Sequence, residues 1–243
     1  MDNIIFDTCK YCLGDEMSMT RNYILDLLIN NYITNDVVIY CVKDRNFFYE
    51  NILDKKIRIT NNNIFNYHKI NYYNSKNHSD EFKKLVTNIN YLEVLPKFNN
   101  ETFIVYHHRY KNDGAWDSKE SELNAILKKK NHNIVIFSQS DLDYLNCNQN
   151  VYFTKNLKEY ASFIHSNNCL AVVSVWSGGG QLASYCSNAN TKLIMYFDKC
   201  QGHYGSCNEK CINSENAFDY AQFTDVKRIF VKESDLENYY NYL

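Results

Sequence analysis

Three short stretches of this chain combine residue types that suit phosphate chemistry. The first is Trp176-Ser177-Gly178-Gly179-Gly180-Gln181. It follows an apolar run, Leu170–Val175, and precedes a helix-like stretch, so it is expected to be a strand-to-helix turn. Such a turn rich in glycine lets backbone N–H groups and the positive end of a helix dipole face an anion. Ser177 adds a hydroxyl, and Gln181 a side-chain amide. The spacing is neither that of a P-loop nor the Gly-x-Gly-x-x-Gly of dinucleotide enzymes. The alternative is a tight turn that lets a helix pack closely on a strand. The second stretch is Leu13-Gly14-Asp15-Glu16, after the first apolar run. A carboxylate there, Asp15, suits a general base acting on a hydroxyl. The alternative is that Asp15 caps the helix that follows.

The third stretch is His107-His108-Arg109-Tyr110-Lys111-Asn112-Asp113-Gly114-Ala115-Trp116. Arg109 or Lys111 can neutralise a departing diphosphate. His108 adds a polar contact, and His107 with His108 offers a less favoured reading as metal ligands. The plain alternative is a solvated loop with Arg109 paired to a surface acid. After Phe137, Ser138 and Gln139 are polar groups placed to meet a nucleotide base. Cys9-x-x-Cys12 and Cys200-x6-Cys207-x3-Cys211 have partial zinc-ligand spacing, with free thiols as the alternative. We therefore expect no metal and no cofactor. Cys41, Cys147, Cys169 and Cys186 lie among apolar neighbours and are expected in the core.

These stretches need elements to hold them, and the pattern supplies a parallel-sheet rhythm. Strands are expected at Asn3–Thr8, Asp36–Val42 and Lys56–Thr60, with helices near Met19–Asn30, Asn46–Leu53 and Glu81–Tyr91. The segment Asn61–Asn77 is polar and poorly patterned. The only proline, Pro96, lies in the expected linker. Beyond it, strands are expected at Thr102–His107, Asn133–Ser138, Val151–Phe153, Leu170–Val175 and Lys192–Phe197. Helices are expected at Ser118–Lys130, Asn156–Ser166, Gln181–Ser187 and Ser234–Leu243. The expected organisation is α/β with two Rossmann-like domains, 1–97 and 98–243, whose parallel sheets face across a cleft.

Composition bounds the function. The 243 residues are 45% hydrophobic and 22% charged, so the chain can bury a core. A net charge of -2 argues against a dedicated nucleic-acid binder. No apolar run approaches the ~20 residues of a membrane span. The N-terminus lacks the marks of a signal peptide, and nine cysteines without one read as reduced thiols, so a cytoplasmic location is expected. Abundant Asn, Ile, Lys and Tyr suggest AT-rich coding DNA. Against that background each of the seven glycines is expected to mark a backbone need.

The arrangement resembles GT-B glycosyltransferases, and most nearly the bacterial ADP-heptose:lipopolysaccharide heptosyltransferases. In that family an N-terminal strand leads through a small loop to Gly-Asp and a helix, as Ile4-Ile5-Phe6…Leu13-Gly14-Asp15 does here. The resemblance implies Asp15 as catalytic base. It also likens His107–Trp116 to the family's phosphate-binding loop, with histidines in place of hydroxyl residues. The late family motif Asp-Ser/Thr-Gly-x-x-His-Leu-Ala is similar to Trp176–Ala183, where Trp176 and Gln181 replace the aspartate and histidine. Ser177–Gln181 also resembles the UDP-binding turn of UDP-N-acetylglucosamine 2-epimerases, and His108-Arg109 with Asp113 resembles the His-x-Arg region of fucosyltransferases. The implied function is sugar transfer from a nucleotide-diphosphate donor to a glycan or other hydroxyl acceptor, without a metal. An epimerase or hydrolase of the same fold, and a non-catalytic nucleotide-binding or scaffold protein, remain as alternatives. Tyr239, Tyr240 and Tyr242 would suit a protein interface in the last of these.

Overall fold

The computed structural model describes residues 4–33, 36–52, 57–62, 79–95, 98, 100–109, 124–126, 128, 132–139, 150–175, 177–197 and 228–232. Lys111, Gly114, Trp116, Trp176, Pro96, Cys147, the Cys200/Cys207/Cys211 group and the Ser234–Leu243 segment lie outside them, as does most of the expected Ser118–Lys130 helix. The chain divides into two compact units, Met1–Leu92 and Glu93–Leu243.

In the first unit β1 (Ile4–Asp7), β2 (Val37–Tyr40) and β3 (Ile57–Thr60) form a parallel sheet in that order. All are short apolar runs, and Phe6, Val37 and Ile39 are wholly buried. The helix after β1 starts earlier than its apolar period indicates. Short α1 (Leu13–Asp15) runs into a π-helical segment (Glu16–Thr20) and then α2 (Arg21–Ile29). Gly14 and Asp15 are thus in the first turn of a helix rather than in the loop expected of them. The stretch expected as a helix near Asn46–Leu53 is a 3-10 helix, Lys43–Phe48.

Helix α3 (Asp80–Thr87) begins at Ser79, whose hydroxyl accepts from the Phe82 N–H at 3.1 Å. Its other end is closed by Arg21, which is fully buried. The guanidinium donates to the carbonyls of Phe48, Val86, Leu85 and Asn88 at 2.9, 2.6, 3.2 and 3.2 Å. Carbonyls at a helix C-terminus lack intrahelical donors and carry partial negative charge, so a cation there satisfies both.

The second unit holds six parallel strands: β4 (Phe103–His107), β5 (Asn133–Phe137), β6 (Val151–Thr154), β7 (Cys169–Val175), β8 (Lys192–Phe197) and β9 (Arg228–Lys232). Their order is β6-β5-β4-β7-β8-β9. From β4 the chain moves outward through β5 and β6, then crosses back to β7 on the other side of β4. This is the doubly wound Rossmann order, whose ligands bind beyond the carboxyl ends of the strands where the winding reverses. Here that point lies between β4 and β7. Every residue of β4 is buried, as a central strand covered on both faces requires.

Helix α4 (Leu157–His165) packs on β5, β6 and β7, and α5 (Gly178–Cys186) packs on β7, β8 and α4. Asn156 caps α4, accepting from the Lys158 and Glu159 N–H groups. Phe98, Phe103, Phe163 and Tyr152 form an edge-to-face cluster under the amino ends of the strands. Cys41, Cys169 and Cys186 are buried free thiols. Among the described residues no helix is long and apolar enough to cross a membrane.

Candidate functional site

The carboxyl edge of the second unit collects most of the residues singled out from the sequence. Strand β4 ends at His107, and β7 pairs with it so that Ser174 is its direct partner. Successive strand residues face opposite sides, so His107 points to the α4–α5 face and His108 to the other. His107 Nδ1 lies 3.0 Å from Ser174 Oγ and 3.3 Å from Ser177 Oγ. Its ring stacks on Phe137, with centroids 5.4 Å apart, and lies 5.7 Å from the Tyr160 ring. Phe137 and Tyr160 are themselves stacked at 4.4 Å. Burial keeps the Tyr160 phenol neutral, its pKa well above the ordinary value, and its hydroxyl donates to the Gly179 carbonyl at 3.2 Å.

The glycine run has a different structural role from the open turn expected of it. Gly178, Gly179 and Gly180 are the first turn of α5, with Ser177 as N-cap. A Cβ on Gly179 would stand 2.4 Å from His107 Cε1 and 2.5 Å from Nδ1. Glycine at 179 is therefore required because the helix lies directly on an imidazole. The first intrahelical bond is Gln181 N–H to the Ser177 carbonyl at 2.9 Å. The N–H groups of Gly178, Gly179 and Gly180 thus have no intrahelical acceptor. Ser177 makes no side-chain cap bond to them, unlike Ser79 on α3 and Asn156 on α4. Ser177 and Gly178 are half-buried, whereas Gly179 and Gly180 are buried. In the same helical turn, the Gln181 side-chain oxygen is buried with no hydrogen-bond partner.

Beside this group, His108 Nδ1 is 3.5 Å from Ser138 Oγ, at the limit of a hydrogen bond. The His108 N–H reaches the Phe137 carbonyl at 2.9 Å, so the β4–β5 ladder continues past the strand ends. Arg109 is half-buried and Gln139 exposed. The topology thus brings His108, Arg109, Ser138, Gln139, Ser177, the three glycines and Gln181 to one sheet edge. His107 and Ser174 were not among the favoured candidates. Their signal was the pairing of a strand-ending histidine with a strand-ending serine, which only the register reveals.

In the first unit, Asp15 is half-buried in the opening turn of α1, after the N-cap Cys12, and does not itself cap. The more unusual group is its neighbour. Glu16 is wholly buried, accepts from Arg45 Nη1 at 2.6 Å and from the Tyr49 hydroxyl at 2.8 Å. Burial raises the Glu16 pKa against the opposing pull of Arg45. Arg45 Nη1 also donates to the Tyr11 carbonyl at 3.0 Å. Burial likewise pushes the Cys41 thiol up to about 12. Among the described residues no group of three or more His, Cys, Asp or Glu side chains could hold a metal ion.

No protein-family model matches this chain. No curated protein matches it either. Its fold is similar to a crystal structure described as a bacterial iron-containing dodecameric glycosyltransferase, TibC, from enterotoxigenic E. coli H10407. The match covers 99% of this chain and 78% of that one, at 10% identity and a TM-score of 0.50. Identity at that level speaks to architecture alone, so the comparison supports a glycosyltransferase-like α/β fold with parallel sheets.

Proposed function

We propose that the chain is a glycosyltransferase that moves a sugar from a nucleoside-diphosphate donor to a hydroxyl acceptor. One observation carries this reading: three first-turn amides of α5 without intrahelical acceptors, at the winding reversal of a Rossmann-ordered sheet. The N-cap serine leaves those amides uncapped, and the fold is shared with a glycosyltransferase.

In this reading the second unit takes the donor and the first the acceptor. The amides of Gly178, Gly179 and Gly180 hold the diphosphate. Arg109, with Lys111, stabilises the charge that develops on it, while Ser138, Gln139 and His108 flank the nucleoside and Gln181 accepts a ligand hydroxyl or amide. The acceptor oxygen bonds to the anomeric carbon as the bond from that carbon to the diphosphate oxygen breaks. The electron pair leaves with the diphosphate, and Asp15 takes the acceptor proton. Positioning and charge stabilisation are the two demands of such a transfer.

A thermal-shift series with ADP, GDP, UDP and their sugars tests the reading. A ligand that binds only the folded chain raises the melting temperature with the logarithm of its excess. A rise with one nucleoside diphosphate supports the reading; no rise with any of them contradicts it. With a responding donor, Asp15→Asn is expected to stop transfer and leave donor binding intact. Undiminished turnover would remove Asp15 from the base role.

A further inference from the structure

We propose that His107 is a positioning residue that turns the Ser177 hydroxyl outward, making it a fourth hydrogen-bond donor beside the amides of Gly178, Gly179 and Gly180. The inference rests on the donor-site reading above and assigns a role to a histidine which that reading does not use.

The geometry at Nδ1 carries it. Two serine oxygens meet one ring nitrogen, Ser174 Oγ at 3.0 Å and Ser177 Oγ at 3.3 Å. A bare Nδ1 accepts a hydrogen bond from a hydroxyl, and when Ser177 is the donor its hydrogen points inward. An Nδ1 carrying hydrogen gives it to the serine oxygens, and Ser177's own hydrogen is then free to point away from the ring. The second tautomer is the one that serves an anion.

The ring is well placed for such a task because it is closely packed. Phe137 and Tyr160 flank it, and α5 lies on it through the missing Cβ of Gly179. Ser177 in turn is held by the ring and not by its helix, since it makes no cap bond. An ordinary N-cap serine spends its oxygen on the N2 or N3 amide. Here the Gly178, Gly179 and Gly180 amides have neither an intrahelical acceptor nor the Ser177 oxygen. In the same turn Gln181 is half-buried and its side-chain oxygen has no hydrogen-bond partner, so it is one more acceptor near the amides.

Isothermal titration calorimetry with inorganic pyrophosphate, ADP, GDP and UDP tests this on four variants. Ser177→Ala is expected to weaken binding about tenfold, as for one lost hydrogen bond to an anion. His107→Phe, which keeps an aromatic ring and removes the nitrogen, is expected to cost about the same. The double variant is expected to bind no more weakly than Ser177→Ala, because His107 acts only through Ser177. Independent effects would add to about a hundredfold, and that result would overturn the proposal. His107→Asn puts an amide near the Nδ1 position and is expected to restore most of the affinity. If His107→Phe does not fold, that variant decides: binding lost in His107→Asn while Ser177→Ala binds normally would also overturn it. A wild-type chain that binds none of the four probes would remove the donor-site reading itself, and this inference with it.

Discussion

The carboxyl edges of the two sheets are built from opposite materials. In the first unit the groups beyond β1 and β2 are charged and sealed: Glu16 and Arg21 are wholly buried and Arg45 is held by a carboxylate and a carbonyl. In the second unit the groups beyond β4 and β7 are an imidazole, two hydroxyls and a glycine-led helix end, part of which is accessible. A charge taken out of water is costly, and in the first unit Glu16 and Arg21 are each met by several hydrogen-bond partners. Those charges fix a helix end and the start of another helix. The described group around His107 is made of an imidazole, hydroxyls and amide dipoles, and in the proposed reading those dipoles meet an anion. The difference teaches that two parallel sheets of one chain can be finished in different ways, one by buried charges and the other by a glycine-led helix end on an imidazole.

The largest expected effect breaks the sealed side. Arg21→Met keeps a long side chain and removes the guanidinium donors to the Phe48, Leu85, Val86 and Asn88 carbonyls. A loss of about 3–5 kcal/mol in chemical denaturation is expected, since several buried carbonyls lose charge-assisted hydrogen bonds worth about 1.5–3 kcal/mol each. A loss of about 1 kcal/mol or less, the size of an ordinary single hydrogen bond, would mean that water replaces the guanidinium and the first edge is open.

Gly179→Ala probes the other edge. Helix propensity alone would stabilise this change by about 0.5–1 kcal/mol. Overlap with the His107 ring opposes it, and overpacking in a rigid site costs about 1–3 kcal/mol. The second term is larger, so a lower melting temperature is expected. A higher one would show that the ring yields and that glycine is not needed for packing.

Glu16 gives the smallest and most specific effect. Burial raises its folded pKa above the unfolded value, so the native state holds more protons over that interval. Its contribution to stability is therefore full below the unfolded pKa and is lost as pH rises through the folded one. In paired melts across that window, the stability of the parent chain relative to Glu16→Gln is expected to fall as pH rises. A difference that grows with pH would mean that Arg45 wins over burial and holds the carboxyl low.

Much of the scaffold was legible because strands leave a local trace. The apolar runs at 37–40, 103–107, 133–137 and 192–197 are strands within a residue or two of expectation. The segment Arg228–Lys232 escaped notice because its three apolar residues stand among charges. Helix starts were less readable. Glycines lower helix propensity, so Gly14 and Gly178–Gly180 read as loop, yet both stretches are helical. The reason for Gly179 lies in His107, distant in sequence and brought near only by the order of the strands. Likewise Asp15 stood out beside a glycine, while the buried role of Glu16 depends on Arg45 and Tyr49, which no local pattern connects to it. Types and turns can be read locally, whereas contacts made by register cannot.

The central claim is that the α5 amides receive a diphosphate. Titrating the 15N-labelled chain with ADP, GDP and UDP while following amide resonances tests it most directly. The expected result, with at least one of the three, is saturable movement centred on Gly178, Gly179 and Gly180, without comparable movement at Glu16 or Arg45. Glycine amides that stay still at saturating nucleotide, or shifts confined to the first unit, would contradict it.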